Sequence, residues 1–262
     1  MKQLSIILFI FSCLSPHLFA QNKLNDRFSF SISGGAAIPV GTFGMKDISN
    51  AVIYYVPNSN DPSYKYLIGI DKSKSGFAKN GYCYNAQISY RMTNHVFLFL
   101  RAGQTKNSVQ TSEISAFLTH RSDLQEFEEA DYKIGSVTPG VGYTMSLKQW
   151  DISLGLFGGL ARSKFPSYRS ILLYTTTVPP ITWGHEGETP NLFSFSKGGV
   201  LSINRRIKQI SAGIEITYQH SNFKYDITMR TIPGGTPNAT AHDKLVVSLL
   251  TVGLQLAYSF GK

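Results

Sequence analysis

The most constraining feature of the sequence is an alternation of apolar and polar residues with period two, which recurs eight times. In residues 82–91, for example, Tyr84 and Ile88 lie on one face, and Asn85 and Gln87 lie on the other. Successive side chains of a strand point to opposite faces, so this pattern predicts β-strands with one apolar and one polar face. The predicted strands cover residues 28–38, 82–91, 96–103, 137–145, 150–160, 193–203, 210–219 and 250–260.

The strands predicted at residues 28–38, 137–145, 150–160 and 193–203 each have roughly the length that a tilted strand needs to cross a bilayer, about 9–11 residues. Only 16% of the residues are charged, against about 25% in an average soluble domain. No apolar run in the body of the chain reaches the ~20 residues of a membrane helix. Two positions disturb the pattern: Pro139 predicts a bulge near Gly135 or a late start of that strand, and Lys197 is expected near a membrane interface.

The connections between the predicted strands alternate between short and long. A soluble sandwich has no reason to alternate in this way, whereas outer-membrane barrels have an even number of strands, short periplasmic turns and long extracellular loops. The short connections cover residues 92–95, 146–149 and 204–209, and the long ones cover residues 39–81, 104–135, 161–192 and 219–243.

The pattern resembles the small eight-stranded outer-membrane barrels of the OmpA/OmpX type, also described as porin-family proteins. The glycine and proline exit of the first strand, residues 34–41, is similar to the opening of that family. The last strand, residues 254–260, is similar to the strand that the barrel-assembly machinery reads, with Tyr258 and Phe260 as the signal, although Gly261 and Lys262 follow. The resemblance implies an all-β fold: an eight-stranded antiparallel transmembrane β-barrel over residues 21–262.

Residues 1–20 read as a secretory signal peptide, because a lysine precedes a long apolar run that ends at Ala20. We expect cleavage near Ala20 and export to the outer membrane. Acylation at Cys13, as in a lipoprotein, is a rival interpretation, but the preceding residues form a poor lipobox. Cys13 and Cys83 lie far apart and form no disulfide framework or CxxC metal site, so no cofactor is expected.

The two faces of the strands indicate which side meets the membrane. The apolar face carries large residues, so we expect it to face lipid, whereas a soluble lipocalin-like barrel would turn it inward. An eight-stranded barrel is filled by its own side chains, and this predicts a packed polar interior. Glu215 is expected to pair with Arg91 or Arg101, unless these groups are solvated near the mouth. The predicted interior set is Asn85, Gln87, Arg91, Arg101, Asp151, Glu215 and Gln255.

Basic residues recur where the predicted strands meet the long connections. Cations at this depth would attract the phosphates of lipopolysaccharide, although each residue is equally compatible with an ordinary solvated charge. The predicted basic outer rim consists of Lys79, Lys106, Lys133, Arg162, Lys164, Lys197, Lys224 and Lys244.

Other functional classes find little support. The net charge is +9, but the cations are scattered, so we expect no nucleic-acid partner. The acidic run 123–131 reads as a short helical turn or a solvated tip and lacks EF-hand spacing. Residues 184–188 lack the second histidine of an HExxH zinc site. His220 and Ser221 are adjacent in a predicted strand and therefore point to opposite faces, which argues against a nucleophilic serine at the rim.

The sequence therefore predicts a non-enzymatic outer-membrane barrel with a packed interior and long surface loops for envelope integrity, adhesion or partner binding. The expected partners are outer-membrane lipid, lipopolysaccharide and the barrel-assembly machinery, and a monomer is the default state. A narrow channel for small solutes is the alternative, and a rim enzyme is a third possibility.

Overall fold

The computed structural model describes residues 27–55, 67–121, 124–164, 168–174, 181–188, 191–232 and 237–261. The predicted signal peptide lies outside the described residues. Strand bounds are β1 Phe28–Pro39, β2 Val52–Tyr55, β3 Leu67–Ile70, β4 Gly81–Arg91, β5 Val96–Asn107, β6 Leu124–Glu129, β7 Tyr132–Leu147, β8 Trp150–Lys164, β9 Tyr168–Tyr174, β10 Ile181–Glu188, β11 Asn191–Ile207, β12 Ile210–Ile232 and β13 Pro237–Phe260. The helices are a 3-10 turn Gly41–Phe43, α1 Ile48–Ala51 and α2 Thr111–Arg121.

Eight of these strands close into one antiparallel barrel. The order is β11-β8-β7-β5-β4-β1-β13-β12, and β11 also pairs with β12, which joins the two edges. The first and last strands are neighbours in this cylinder, with Phe28 opposite Phe260 and Pro39 opposite Leu249. Closure leaves no unpaired edge along the body of the barrel. The eight-stranded antiparallel barrel predicted from the sequence is thus confirmed.

The barrel strands extend further than the alternation predicted. β12 and β13 run 23 and 24 residues, and their outer halves rise beyond the barrel wall. There β12 pairs with β10, β10 with β9, and β9 with β6, so the predicted long connections contribute a sheet that continues from the wall. A separate hairpin joins β2 and β3.

Two local expectations were wrong. Pro139 causes neither a bulge nor a late start: β7 begins earlier, at Tyr132, and its register with β8 is the same at Val137–Leu160 and at Gly140–Phe157. The proline only interrupts this ladder, because it has no N–H to donate. The acidic run also differs from its prediction, since residues 124–129 form strand β6.

The barrel has two distinct ends. At one end, which we call the turn end, β7–β8 and β11–β12 are joined by two-residue turns, Lys148-Gln149 and Lys208-Gln209. Lys148 and Lys208 adopt positive φ angles of 55° and 58°, the left-handed conformation that such tight turns require. The opposite end, the mouth, receives the 3-10 turn, α1 and α2. No helix in the described part of the chain is long and apolar enough to span a membrane.

Candidate functional site

The outer wall of the barrel is a continuous apolar surface, which we call the apolar band. Leu156, Phe193 and Leu254 are 66%, 66% and 74% exposed, and the same strands turn serine, glycine and charged residues inward. A soluble barrel of the lipocalin type would have these faces reversed. The apolar side chains alternate with inward polar ones along each strand, which is the arrangement of barrels that face lipid.

Aromatic side chains collect at the turn end of this band. The ring of Phe28 lies 5.1 Å from that of Tyr90 and 6.0 Å from that of Phe260, and Tyr258 stacks on Phe260 at 6.2 Å. Tyr258 also donates a hydrogen bond to Gln209 Oε1 at 3.0 Å. Tyr258 and Phe260, the predicted assembly signal, are thus exposed members of an aromatic girdle of the kind found at membrane interfaces.

Inside the barrel, Arg101 of β5 and Glu215 of β12 form a buried ion pair. Arg101 Nη1 donates to Glu215 Oε2 at 2.9 Å and Nη2 donates to Oε1 at 2.6 Å. The two side chains are only 5% and 3% exposed. Such a two-pronged geometry is the strongest arrangement available to a carboxylate and a guanidinium. Of the two arginines considered for Glu215, the structure therefore brings Arg101 to it.

Neighbouring strands complete the hydrogen bonding of this pair. Ser33 Oγ donates to Glu215 Oε1 at 2.7 Å, and Gln255 Nε2 donates to Oε2 at 2.9 Å. Thr217 accepts from Arg101 Nη2 at 3.2 Å, and Gln87 accepts from Nη1 at 3.5 Å. A buried charge pair is tolerated only when its remaining donors and acceptors are satisfied, as they are here. The network ties strands from opposite sides of the lumen together.

The other predicted interior residues extend this network or form a second one. Asn85 Nδ2 donates to Ser33 Oγ at 3.3 Å. Asp151 does not join the central pair; it accepts from Arg206 Nε at 2.8 Å, and Ser146 Oγ donates to it at 2.6 Å. Arg206 was missed in the sequence, although the alternation of β11 places it inward. Arg91 lines a polar cavity of about 100 Å³ at the turn end, together with several serines.

The lumen also holds apolar side chains. At mid-height Phe99, Phe157 and Val200 pack together beside the ion pair. Phe99 occupies the space opposite a glycine: a Cβ at Gly140 would collide with its ring and lie 2.6 Å from the carbonyl oxygen of Leu156. The interior is thus filled by interlocking aromatic and backbone surfaces, as expected for eight strands.

The mouth is closed by an apolar cluster that the alternation does not reveal. The segments that connect the strands place apolar side chains against the inward-facing residues at the mouth ends of the strands. These inward-facing residues include Leu245, Val247 and Leu249. Burial of so many large apolar groups strongly favours the closed arrangement. We call the connecting residues of this cluster the mouth plug; they are Phe43, Ala51, Phe77, Ala78, Val109 and Ile114.

Polar contacts hold the mouth plug in place. Tyr132 Oη donates to the carbonyl oxygen of Gly76 at 2.7 Å, and its ring meets that of Phe43 edge-on at 4.9 Å. Lys72 Nζ lies 2.6 Å from Glu129 Oε1, and both side chains are buried. The same ammonium lies 5.7 Å from the centroid of the Phe77 ring. This ion pair fixes the segment before β4 to the end of β6, and so links two connections across the mouth.

The predicted basic rim residues other than Lys197 lie on the surface above the apolar band or at its upper edge. Lys197 lies within the band, because the exposed side chains of Phe193 and Phe195 lie between it and the mouth. Lys106 is the most covered of them, because its Nζ contacts Asp131 Oδ2 at 2.7 Å, and this hydrogen bond raises the pKa of Lys106. Lys197 is exposed on the outer face of β11, where Phe193 and Phe195 also face outward. Arg162 Nη2 donates to Asn191 Oδ1 at 3.0 Å.

The structure pairs His220 with a different serine from the one considered in the sequence. Ser221 points into the barrel, as its adjacent position required, whereas His220 Nδ1 lies 3.0 Å from Ser248 Oγ on the neighbouring strand. No described carboxylate contacts His220, so the described residues supply no acid to orient the imidazole as in a catalytic triad. The described residues also contain no group of three or more histidine, cysteine or acidic side chains arranged to hold a metal ion.

The structure is that of a closed eight-stranded antiparallel β-barrel with an apolar exterior and a charged, filled lumen. Solved structures similar to it are small outer-membrane barrels. The attachment invasion locus protein Ail of Yersinia pestis is 14% identical, over 89% of this chain and 99% of that chain, with a TM-score of 0.40. Neisserial surface protein A is 10% identical, over 89% and 97%, with a TM-score of 0.39.

The outer membrane protein AlkL, determined by solid-state NMR in lipid bilayers, is 11% identical over 95% of this chain and 98% of that chain, with a TM-score of 0.45. These similarities concern the fold alone. No family model matches the sequence, and no curated protein matches it.

Proposed function

We propose that this chain is an integral outer-membrane β-barrel whose sealed body anchors the segments at its mouth. The supporting observation is the distribution of polarity: the wall exposes a continuous apolar band, while its charges pair inside the lumen. Exposed apolar area on this scale is costly in water and favourable in a bilayer. The mouth then faces the exterior, and the two-residue turns face the periplasm.

In this proposal the barrel is non-enzymatic, and the segments at the mouth serve envelope integrity, adhesion or partner binding. The residues at the mouth come from three connections and from the extended strands β12 and β13, which supply a surface beyond the membrane. The basic rim contacts the phosphates of lipopolysaccharide, and the terminal aromatic residues engage the barrel-assembly machinery. The signal peptide is removed near Ala20, and the mature barrel is a monomer.

The alternative, a narrow channel for small solutes, requires a continuous water path. The mouth plug and the Arg101–Glu215 network both interrupt such a path. The polar cavity at the turn end is the feature that favours conduction, but it ends at this network. A channel function therefore requires the mouth plug to move out of the mouth of the barrel.

The decisive experiment is single-channel recording on residues 21–262 refolded into planar bilayers, with a heat-modifiable gel shift as proof of folding. We expect a folded, silent barrel. Steady openings that scale with salt concentration would establish the channel alternative. A chain that folds but fails to float with phosphatidylcholine vesicles would refute membrane insertion itself.

A further inference from the structure

The strand register places three lysines of the basic rim in one row across the outer wall. Lys106 of β5 is directly opposite Lys133 of β7, and Lys133 is directly opposite Lys164 of β8. Directly opposed residues have Cβ atoms about 5 Å apart, and like charges at this distance destabilise a sheet. The folded barrel therefore concentrates positive charge at one place on the rim.

Only part of this charge is neutralised by the protein. Asp131 pairs with Lys106, whereas neither Lys133 nor Lys164 forms an ion pair with a residue that the structure describes. Arg162 lies next to this row on the outer face of β8, where its contact is the neutral amide of Asn191. Three cations on two neighbouring strands thus share no described counter-ion.

A gap in the wall lies between these cations. Gly135 has no side chain, and a Cβ there would find its nearest contact 3.9 Å away, at the carbonyl oxygen of Gly103. Its cross-strand neighbours are Gln104 on one side and Arg162 on the other. Strands two apart are separated by about 9.6 Å, which leaves room for a phosphate group. We call this gap the Gly135 notch.

The polar side chain at the edge of the notch, Gln104, can donate a hydrogen bond to a ligand. Tyr84 Oη donates to Gln104 Oε1, so the amide NH₂ of Gln104 is left to donate to another group. Below the notch the wall is apolar, because Val137 and Leu160 oppose each other and are 51% and 65% exposed. Cationic and amide donors therefore lie immediately above a surface suited to hydrocarbon.

We propose that the Gly135 notch binds the phosphate of a phosphorylated membrane lipid, with Lys133, Lys164 and Arg162 as its cationic ligands. This site deepens the proposed membrane function and rests on it. The lipid's acyl chains lie on the band below, over Val137 and Leu160, and Phe193 lies beside the notch, directly opposite Arg162. The apolar floor favours a lipid over free phosphate, because only an amphiphile uses both surfaces.

The test is chemical labelling of lysine amines by acetylation, with mass spectrometry of each site. The folded chain is reconstituted in phosphatidylcholine bilayers with and without diphosphoryl lipid A. We expect lipid A to reduce the labelling of Lys133 and Lys164 several-fold, and inorganic phosphate to give no protection. Lys148 and Lys208, at the opposite end, serve as internal controls and should show no comparable change.

Two variants and a matched control separate the effect of charge from the effect of shape. Lys133→Gln with Lys164→Gln should weaken lipid A binding about tenfold or more, since each cation near a lipid surface contributes a several-fold factor. The loss is read from the lipid A concentration that protects Lys106, the remaining lysine of the row. Lys148→Gln with Lys208→Gln removes the same charge from the turn end and should leave lipid A protection of Lys133 and Lys164 unchanged. Gly135→Leu keeps every cation but fills the notch, and it should also weaken binding.

Several results would overturn the site. Equal labelling of Lys133 and Lys164 with and without lipid A would do so, as would full protection in Gly135→Leu or equal protection by inorganic phosphate. The proposed membrane function fails separately, when the chain does not float with vesicles at all. A barrel that floats but shows no protected lysine refutes only the notch.

Discussion

Arg101 and Glu215 form a two-pronged ion pair across the lumen although 114 residues separate them along the chain. Their strands, β5 and β12, are not neighbours in the barrel. The contact therefore joins opposite walls and depends on closure of the cylinder. Because both groups are almost completely buried, loss of one partner leaves the other charge without compensation.

Glu215→Gln should accordingly lower the free energy of unfolding by about 3 kcal/mol, because the guanidinium of Arg101 stays buried without its counter-charge. Urea titration in lipid vesicles, followed by the heat-modifiable gel shift, measures this loss. The double variant Arg101→Met with Glu215→Leu should recover most of it, since neither charge remains. An unchanged midpoint in Glu215→Gln would mean that the pair is hydrated and contributes little.

The apolar band predicts a strong asymmetry between two arginine substitutions. Leu156→Arg places a charge on the exposed outer face of β8, and in a bilayer it should cost about 2–4 kcal/mol near the midplane. Asn222→Arg, on the exposed face of β12 nearer the mouth, should change stability by less than about 0.5 kcal/mol. Unfolding in vesicles measures both. Equal, small effects would indicate that the wall faces water.

The Lys72–Glu129 pair predicts local loosening of the mouth. Lys72→Met leaves the buried carboxylate of Glu129 unpaired, so the mouth plug should open more often. The opening is measured by hydrogen exchange at the amide of Phe77, which donates to the carbonyl oxygen of Met45 at 2.9 Å. We expect exchange there to accelerate at least tenfold. Lys74→Met removes an exposed neighbour and should leave the rate near that of the parent chain.

Two glycines of β7 should respond differently to the same substitution. Gly140→Ala introduces a Cβ against the ring of Phe99 and the backbone of Leu156, and should cost about 1–3 kcal/mol through overpacking. Gly135→Ala adds its methyl group to open space and should be close to neutral. Thermal unfolding in the same detergent compares them. A neutral Gly140→Ala would show that the lumen repacks freely around Phe99.

The strands, and which face of each strand points inward, could be predicted from the sequence, because an alternation with period two is a local property. It assigned Arg101 and Glu215 to the interior, but it left Arg91 and Arg101 as equal partners, since register around a closed cylinder is set by all eight strands together. Arg206 was missed because the predicted strand ended at residue 203 and residues 204–209 were assigned to a turn, whereas β11 continues to Ile207.

The mouth plug could not be predicted from the alternation of apolar and polar residues. Phe43, Phe77 and Ile114 come from connections without periodicity, and each is buried only through contacts with distant strands. Phe77 even adopts a positive φ of 53°, a conformation that no local preference of phenylalanine favours. The Gly135 notch could not be predicted either. The basic residues of the rim are visible in the sequence, but the position of Lys133 directly opposite Lys164 depends on the register of the strands.

β1 and β13 are neighbours in the barrel although they are the first and the last strand along the chain. A nascent chain with seven strands in place still presents two open edges, so the cylinder is completed only when the final strand reaches the first. Bringing these distant segments together carries a loop-closure entropy cost, and folding dominated by such contacts is slow. A chaperone that holds β1 open until β13 arrives would therefore act at the one seam that decides whether this barrel forms.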